Sequence, residues 1–172
     1  YTHIFRGKVL GSLSIVMQGE GRQEFVGDMS AFNGSITVNS GTLCVAQNLK
    51  AASVSVHGGS FGVDKVLSTS GTLSMKDGVL YAGALRSASG TFSGCNDVAT
   101  SSLTGTTWTL NVTADNEKSA VVTVFNTERT GRITLDVLDV QYDASQMYNG
   151  EYVLFAYEKT LNVVLVLSGD CT

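Results

Sequence analysis

Short runs in which apolar residues alternate with small polar ones dominate the first half of the chain. Three of them align: Ile36-Thr37-Val38-Asn39-Ser40-Gly41-Thr42-Leu43-Cys44-Val45, then Val54-Ser55-Val56-His57-Gly58-Gly59-Ser60-Phe61-Gly62-Val63, then Leu73-Ser74-Met75-Lys76-Asp77-Gly78-Val79-Leu80-Tyr81-Ala82. Their offsets are 18 and 19 residues, and a degenerate fourth copy begins near Phe92. In each copy two apolar residues flank one small polar residue, as in Ile36 and Val38, which is the period of a short β-strand. A polar or glycine turn follows, and then a second alternating pair such as Leu43 and Val45. A unit this short has no means of burying its own apolar face. Copies stacked at a fixed period bury those faces against one another, so the pattern predicts a parallel β-solenoid. Stepping by six from Ile36 lands on Thr42, Asn48 and Val54, which is no apolar row and disfavours a helix of hexapeptides. The observed spacing of 7 then 11 predicts coils with unequal sides, as in a right-handed parallel β-helix. An antiparallel β-sandwich of hairpins remains the alternative, because its strands also recur at short intervals.

Beyond residue 104 the repeat fades. Trp108, Leu110 and Val112 alternate, as do Val122 with Val124, and Ile133, Leu135 and Val137. Residues 152–156 and 161–167 follow as further apolar strands, with charged loops at Asp115-Asn116-Glu117-Lys118 and Glu128-Arg129 between them. Solenoids need an atypical end to cover the last apolar coil, so residues 105–172 are expected to form a β-rich cap continuous with coils at 1–104. Trp108, Tyr152, Phe155 and Leu165 are the bulky residues expected to do this. No stretch carries a helical period, and the reading is all-β.

Composition supports this picture. The chain has 172 residues with 43% hydrophobic and only 15% charged positions, against roughly 25% charged in an average domain. With 11 basic and 15 acidic residues the net charge is −4 and no basic run exists, which speaks against a nucleic-acid partner or an anionic membrane. The longest apolar run, residues 163–167, falls far short of the ~20 residues that span a bilayer. There is no proline, but 19 glycines, 19 serines and 18 threonines, so turns are expected to rest on glycine conformations. The chain opens on Tyr1 rather than Met, which points to a piece of a longer precursor. Cys44, Cys95 and Cys171 are too scattered for a metal or redox motif and are expected as unpaired thiols, with a single bridge as the alternative.

The stretch 25–43, with Gly27-Asp28-Met29-Ser30, the aromatic Phe32, and Gly34-Ser35-Ile36-Thr37-Val38-Asn39-Ser40-Gly41-Thr42-Leu43, resembles the autotransporter-associated β-strand repeat. Met29 replaces a usually small polar residue of that pattern. The close match spans about twenty residues, looser copies reach Ala82, and residues 105–156 are similar in outline to the region that ends such arrays. The resemblance implies a right-handed β-helical passenger segment of a secreted or outer-surface bacterial protein. The repeat is a scaffold, so the resemblance carries no catalytic residue to this chain.

Candidate chemistry is sparse. Of the two histidines, His57 falls in the turn where other copies place Asn39 and Lys76, and is expected to be solvated. A serine–histidine–carboxylate triad would need His57 beside an activated serine, and no Gly-x-Ser-x-Gly elbow is expected. Gly58-Gly59-Ser60-Phe61-Gly62-Val63-Asp64 faintly resembles calcium-binding β-roll repeats, but no other copy shares the aspartate. Acid–base hydrolysis needs only two suitably placed carboxylates. Asp136, Asp139 and Asp143 are the candidates, alongside Asp28, Asp64 and Asp77. In a regular strand Asp136 and Asp139, three apart, would lie on opposite faces. Asp139 and Asp143 share a face, but flank a turn. The Asp-Thr-Gly or Asp-Ser-Gly tripeptide of ordinary aspartic proteases is absent.

The expected role is therefore non-enzymatic: a displayed or secreted segment for adhesion, display or spacing, with no cofactor and with host glycans, glycoproteins or other extracellular proteins as partners. The alternative is a secreted carboxylate-dependent hydrolase acting on mucin-type glycoproteins. Two structural expectations are specific. Ile36, Val54 and Leu73 should stack as one inward row and Leu43, Phe61 and Leu80 as another. The amino-terminal edge, residues 3–17, should be an open sheet edge suited to self-association.

Overall fold

The computed structural model describes residues 1–126, 133–143, 145, 147 and 150–157. Among these described residues, thirteen strands form one parallel sheet wound into a β-solenoid of about six turns. In chain order they are β1 (Thr2–Phe5), β2 (Ser14–Met17), β3 (Arg22–Phe25), β4 (Ser35–Val38), β5 (Thr42–Val45), β6 (Leu49–Ala51) and β7 (Ser53–His57). Longer strands follow: β8 (Ser60–Lys76), β9 (Val79–Ser93), β10 (Asn96–Val112), β11 (Val122–Asn126), β12 (Ile133–Tyr142) and β13 (Phe155–Tyr157). Every pairing is parallel, which rules out the antiparallel sandwich.

The coils build three faces, the earliest of them contributing strands to only two. The first face is built from β2, β4, β7, residues 72–76 of β8, 89–93 of β9, 107–112 of β10 and 137–142 of β12. The second takes β1, β3, β5, residues 60–63, 79–82 and 96–100, then β11 and β13. The third takes β6 and residues 66–69, 84–87, 102–105 and 133–135. The spacing of 7 then 11 exposed two of these faces. The third lies inside the longer interval, where Leu49 and Ala51, and Leu67 and Thr69, form inward pairs.

One corner shows how local chemistry sets the winding. Between the first and second faces the chain needs a residue with positive φ in coil after coil, supplied by Gly19 (φ 96°), Gly41 (φ 72°), Gly58 (φ 79°) and Gly94 (φ 72°). Asp77 (φ 52°) takes the same place in its coil; aspartate tolerates this region because its short side chain bonds locally. Its Oδ1 accepts the N–H of Cys95 at 2.9 Å, tying the corner to the next coil.

The core is a set of axial rows. Ile36, Val54 and Leu73 stack in register and are fully buried, as are Leu43, Phe61 and Leu80. Leu49, Leu67, Leu85 and Leu103 form a leucine row on the third face. Met29 and Phe32 are buried inside an early coil, which explains an apolar residue at position 29. Trp108 is the largest fully buried side chain, in line with Gly90 and tilted against Phe92 at 4.4 Å between ring centroids. A Cβ at Gly90 would lie 2.6 Å from the Phe92 ring and 2.9 Å from the indole, and one at Gly105 would lie 2.8 Å from the indole nitrogen. Two inward glycines thus clear the volume that the tryptophan fills.

Trp108 sits inside a coil rather than over its end. β10 runs unbroken through residue 104, and β11, β12 and β13 extend the same parallel ladder. The repeat fades in sequence because extra residues enter at corners. A 3₁₀ turn, Ala114–Glu117, fills one such insertion, and its Asn116 is fully buried. Asn116 Oδ1 accepts the Thr113 N–H at 2.9 Å, while Nδ2 donates to the carbonyls of Gly94 (3.0 Å) and Ser119 (3.1 Å). Tyr152 and Phe155 pack half-buried against the core; Glu128, Arg129, Leu165, Cys171 and the run 161–167 lie outside the described residues. At the other end, β1 and β2 have one neighbour each among the described residues and leave Ile4, Phe5, Leu10 and Val16 exposed.

Phe61→Ala is expected to cost about 3–5 kcal/mol in chemical denaturation, since neighbouring coils held by backbone ladders collapse poorly into the hole. Gly90→Ala is expected to cost about 1–3 kcal/mol by overpacking against Trp108 and Phe92. In a Trp108→Leu background that penalty should fall by more than half; an unchanged penalty would show that the two positions are not coupled.

Candidate functional site

The carboxylates singled out in the sequence have different local surroundings. Asp136 is exposed where β12 bends from the third face to the first. The bend changes the expected alternation: Leu135 and Leu138 both point inward, so Asp136 and Asp139 are both outward, on different faces of the solenoid. Asp139 is half-buried beside Thr109, and its Oδ2 accepts a hydrogen bond from Gln141 at 3.2 Å. Exposed Asp143 accepts from the Ser145 hydroxyl (2.7 Å) and N–H (3.0 Å), and these bonds hold its carboxyl below the usual range. A general acid near neutral pH needs the opposite shift.

Gly58-Gly59-Ser60-Phe61-Gly62 carries the Gly-x-Ser-x-Gly spacing, which corrects the expectation that the chain has none. Ser60 lies at the start of β8 between Thr42 and Val79 in a flat ladder, without the strand-to-helix elbow that activates such a serine. His57 is exposed at the end of β7 opposite Lys76. Among the described residues no group of three or more His, Cys, Asp or Glu side chains gathers to hold a metal. Cys44 and Cys95 are free thiols, both pushed up in pKa mainly by burial, and so are poor nucleophiles.

The faces differ in ways that the one-dimensional pattern hides. On the first face Ser14, Ser35 and Ser53 form one outward line that Thr72, Ser89 and Thr107 take up in later coils. Beside it runs Thr37–Ser55–Ser74–Thr91–Thr109, ending at Asp139. Ser14 and Ser35 hydroxyls meet at 2.9 Å, and Thr72 and Ser89 at 3.1 Å. The second face carries mixed side chains instead, including Glu24, Cys44, Gly62, Tyr81 and Ala99 in one row. Hydroxyls at a rise of ~4.8 Å per coil make these two rows a regular array of donors and acceptors, uncharged up to Asp139, with His57 and Lys76 in the next row of the same face.

Grooves lie along the other surfaces. One of about 360 Å³ is lined by Val26, Gly27, Asp28, Ser30, Gln47 and Asn48. A neighbour of about 310 Å³ shares Ser30 and Asn48 with it and reaches Lys50, Ser68 and Arg86 on the third face. A more apolar one of about 330 Å³ lies near Val112, Val140, Met147 and Leu154. In comparison with known proteins, no family model, no curated relative and no solved structure matches this chain.

Half-buried Asp28 and exposed Asp143 set an acid dependence. Asp28 is held below its usual range by the Ser30 hydroxyl and N–H, with Lys8 at 3.5 Å adding attraction; Asp143 is held down by Ser145. A lowered folded-state pKa stabilises the fold above the unfolded carboxylate value, and that contribution is lost as pH falls through the folded value. Denaturation midpoints should therefore be flat from about pH 5 upward with respect to these groups and fall below about pH 4. Asp28→Asn with Asp143→Asn should shallow that fall; an unchanged acid limb would show that neither shift contributes.

Proposed function

We propose that this chain is a non-enzymatic segment of a secreted or surface-displayed bacterial protein, serving adhesion, display or spacing along a rigid β-solenoid. The observation that carries the reading is the uncharged double line of hydroxyls on the first face, presented over successive coils by an unbroken backbone ladder. Short hydroxyl side chains on a sheet lose little conformational freedom on contact and both donate and accept, which suits hydroxyl-rich extracellular material such as glycans and glycoproteins. The likeness of residues 25–43 to the autotransporter-associated repeat supports the same cellular setting.

The test is retention on immobilised mucin. Ser74→Lys with Thr91→Lys places two charges in the middle of the face without touching the core, and should weaken retention at least tenfold. Casein and mucin should remain uncleaved from about pH 3 to 8 by the wild type and by Asp136→Asn, Asp139→Asn and Asp143→Asn variants alike. Cleavage that disappears in one folded aspartate variant would replace this reading with a carboxylate hydrolase. Retention indifferent to the two lysines would remove the hydroxyl face from the mechanism.

A further inference from the structure

The third face holds a feature that an acidic, weakly charged chain has no structural need for. Register places Lys50, Ser68 and Arg86 in one outward row on successive coils, with Thr104 next along it. Parallel neighbours lie ~4.8 Å apart, so the Lys50 and Arg86 backbones are about 10 Å apart, with Ser68 between them. Two long side chains at that separation reach a common point above Ser68.

Among the described residues neither cation is in an ion pair. The ion pairs among the described residues are Lys8 with Asp28 at 3.5 Å and Arg22 with Glu24 at 3.9 Å, and neither involves Lys50 or Arg86. The nearby Lys65 is directed elsewhere, donating to Gln47 Oε1 at 2.8 Å. Lys50, Ser68 and Arg86 line the groove of about 310 Å³ together with Ser30, Asn48 and Val66. Asn48 Oδ1 accepts the Val66 N–H at 3.1 Å, which orients the amide and leaves its Nδ2 donors uncommitted among the described residues. The adjoining groove contains Asp28, but Lys8 and Ser30 already engage that carboxylate. The groove therefore offers two cations, the Ser68 hydroxyl and an amide, with the half-buried Val66 as its apolar floor.

We propose that this groove binds an oxyanion substituent, a sulfate ester or a carboxylate, carried on an acidic polysaccharide. The planar guanidinium of Arg86 suits two-oxygen contact with such a group, Lys50 adds a mobile point charge, and Ser68 and Asn48 supply neutral donors. The apolar floor faces the carbon skeleton of the sugar bearing the anion. This site lies on a different face from the hydroxyl rows and does not depend on them.

Binding to dextran sulfate, polygalacturonate and neutral dextran, measured by calorimetry or surface retention, tests the proposal. Dextran sulfate or polygalacturonate should bind at least tenfold more tightly than dextran, the stronger of the two identifying the substituent, and binding should weaken as salt rises. Lys50→Ala with Arg86→Ala should abolish the preference, and Arg86→Lys should restore only part of it, since charge returns without the planar fork. All three residues of the row are solvent-facing, so folding should persist, and circular dichroism checks it. A charge-matched control, Lys76→Ala with Lys118→Ala, should leave the preference intact. Equal loss in that control, or no preference for either polyanion, would overturn the proposal. Mucin retention compared with and without Ser74→Lys and Thr91→Lys in the Lys50→Ala, Arg86→Ala background reads the first face separately, so failure of one site is distinguishable from failure of the other.

Discussion

The structure depends on the parallel backbone ladder that joins each coil to the next. No coil here can bury its apolar side chains alone, because four-residue strands with two inward residues enclose nothing. Stacking supplies partners above and below, and hydrogen bonds between successive coils fix the register residue by residue. Register then does the rest: one inward residue on one coil dictates its neighbours in the row. Fully buried rows such as Leu43–Phe61–Leu80 are the outcome, and stability accrues coil by coil.

Volume balance along those rows explains where the pattern departs from simple repetition. Trp108 enters a row whose preceding member is Gly90, and Gly105 yields space beside it. The indole N–H finds no acceptor among the described residues, a cost of placing a tryptophan in an interior with few polar groups. Where loops interrupt the coils, buried asparagines repair the ladder. Asn96 accepts the Gly78 N–H at 3.1 Å and donates to Ser93 (2.8 Å) and Val121 (3.0 Å) carbonyls, as Asn116 does for its own insertion. Each amide replaces several backbone bonds that a regular turn would have made.

The same register that builds the core sorts the surface. Because residue i of one coil lies beside its counterpart in the next, weak preferences at single positions accumulate into whole faces. Uncharged hydroxyls collect on the first face, and two cations flank a serine on the third. Asp136 is exposed at a bend, while Asp139 and Asp143 are each bonded to a near neighbour in sequence. Function in this architecture is a property of rows and faces rather than of a concave centre.

The alternation and the recurrence at 18 and 19 residues determined the all-β class and the inward rows through Ile36 and Leu43 and favoured a parallel solenoid, while the parallel pairing itself excluded the sandwich. Two-residue periodicity and burial leave few other solutions. The chain pattern alone did not show the third face, since Ala51, Thr69, Ser87 and Gly105 are too small or too polar to mark an apolar row. It also misplaced Trp108 as an end cover, because only the stacked register shows Gly90 making room for it. The buried Asn116 read as part of a charged loop, since its neighbours Asp115, Glu117 and Lys118 are solvated while its amide alone turns inward. Lys50 and Arg86, far apart in sequence, drew no notice at all. Tertiary structure decided those sites because side chains on successive coils meet through space at one coil's rise, a distance that sequence separation does not display.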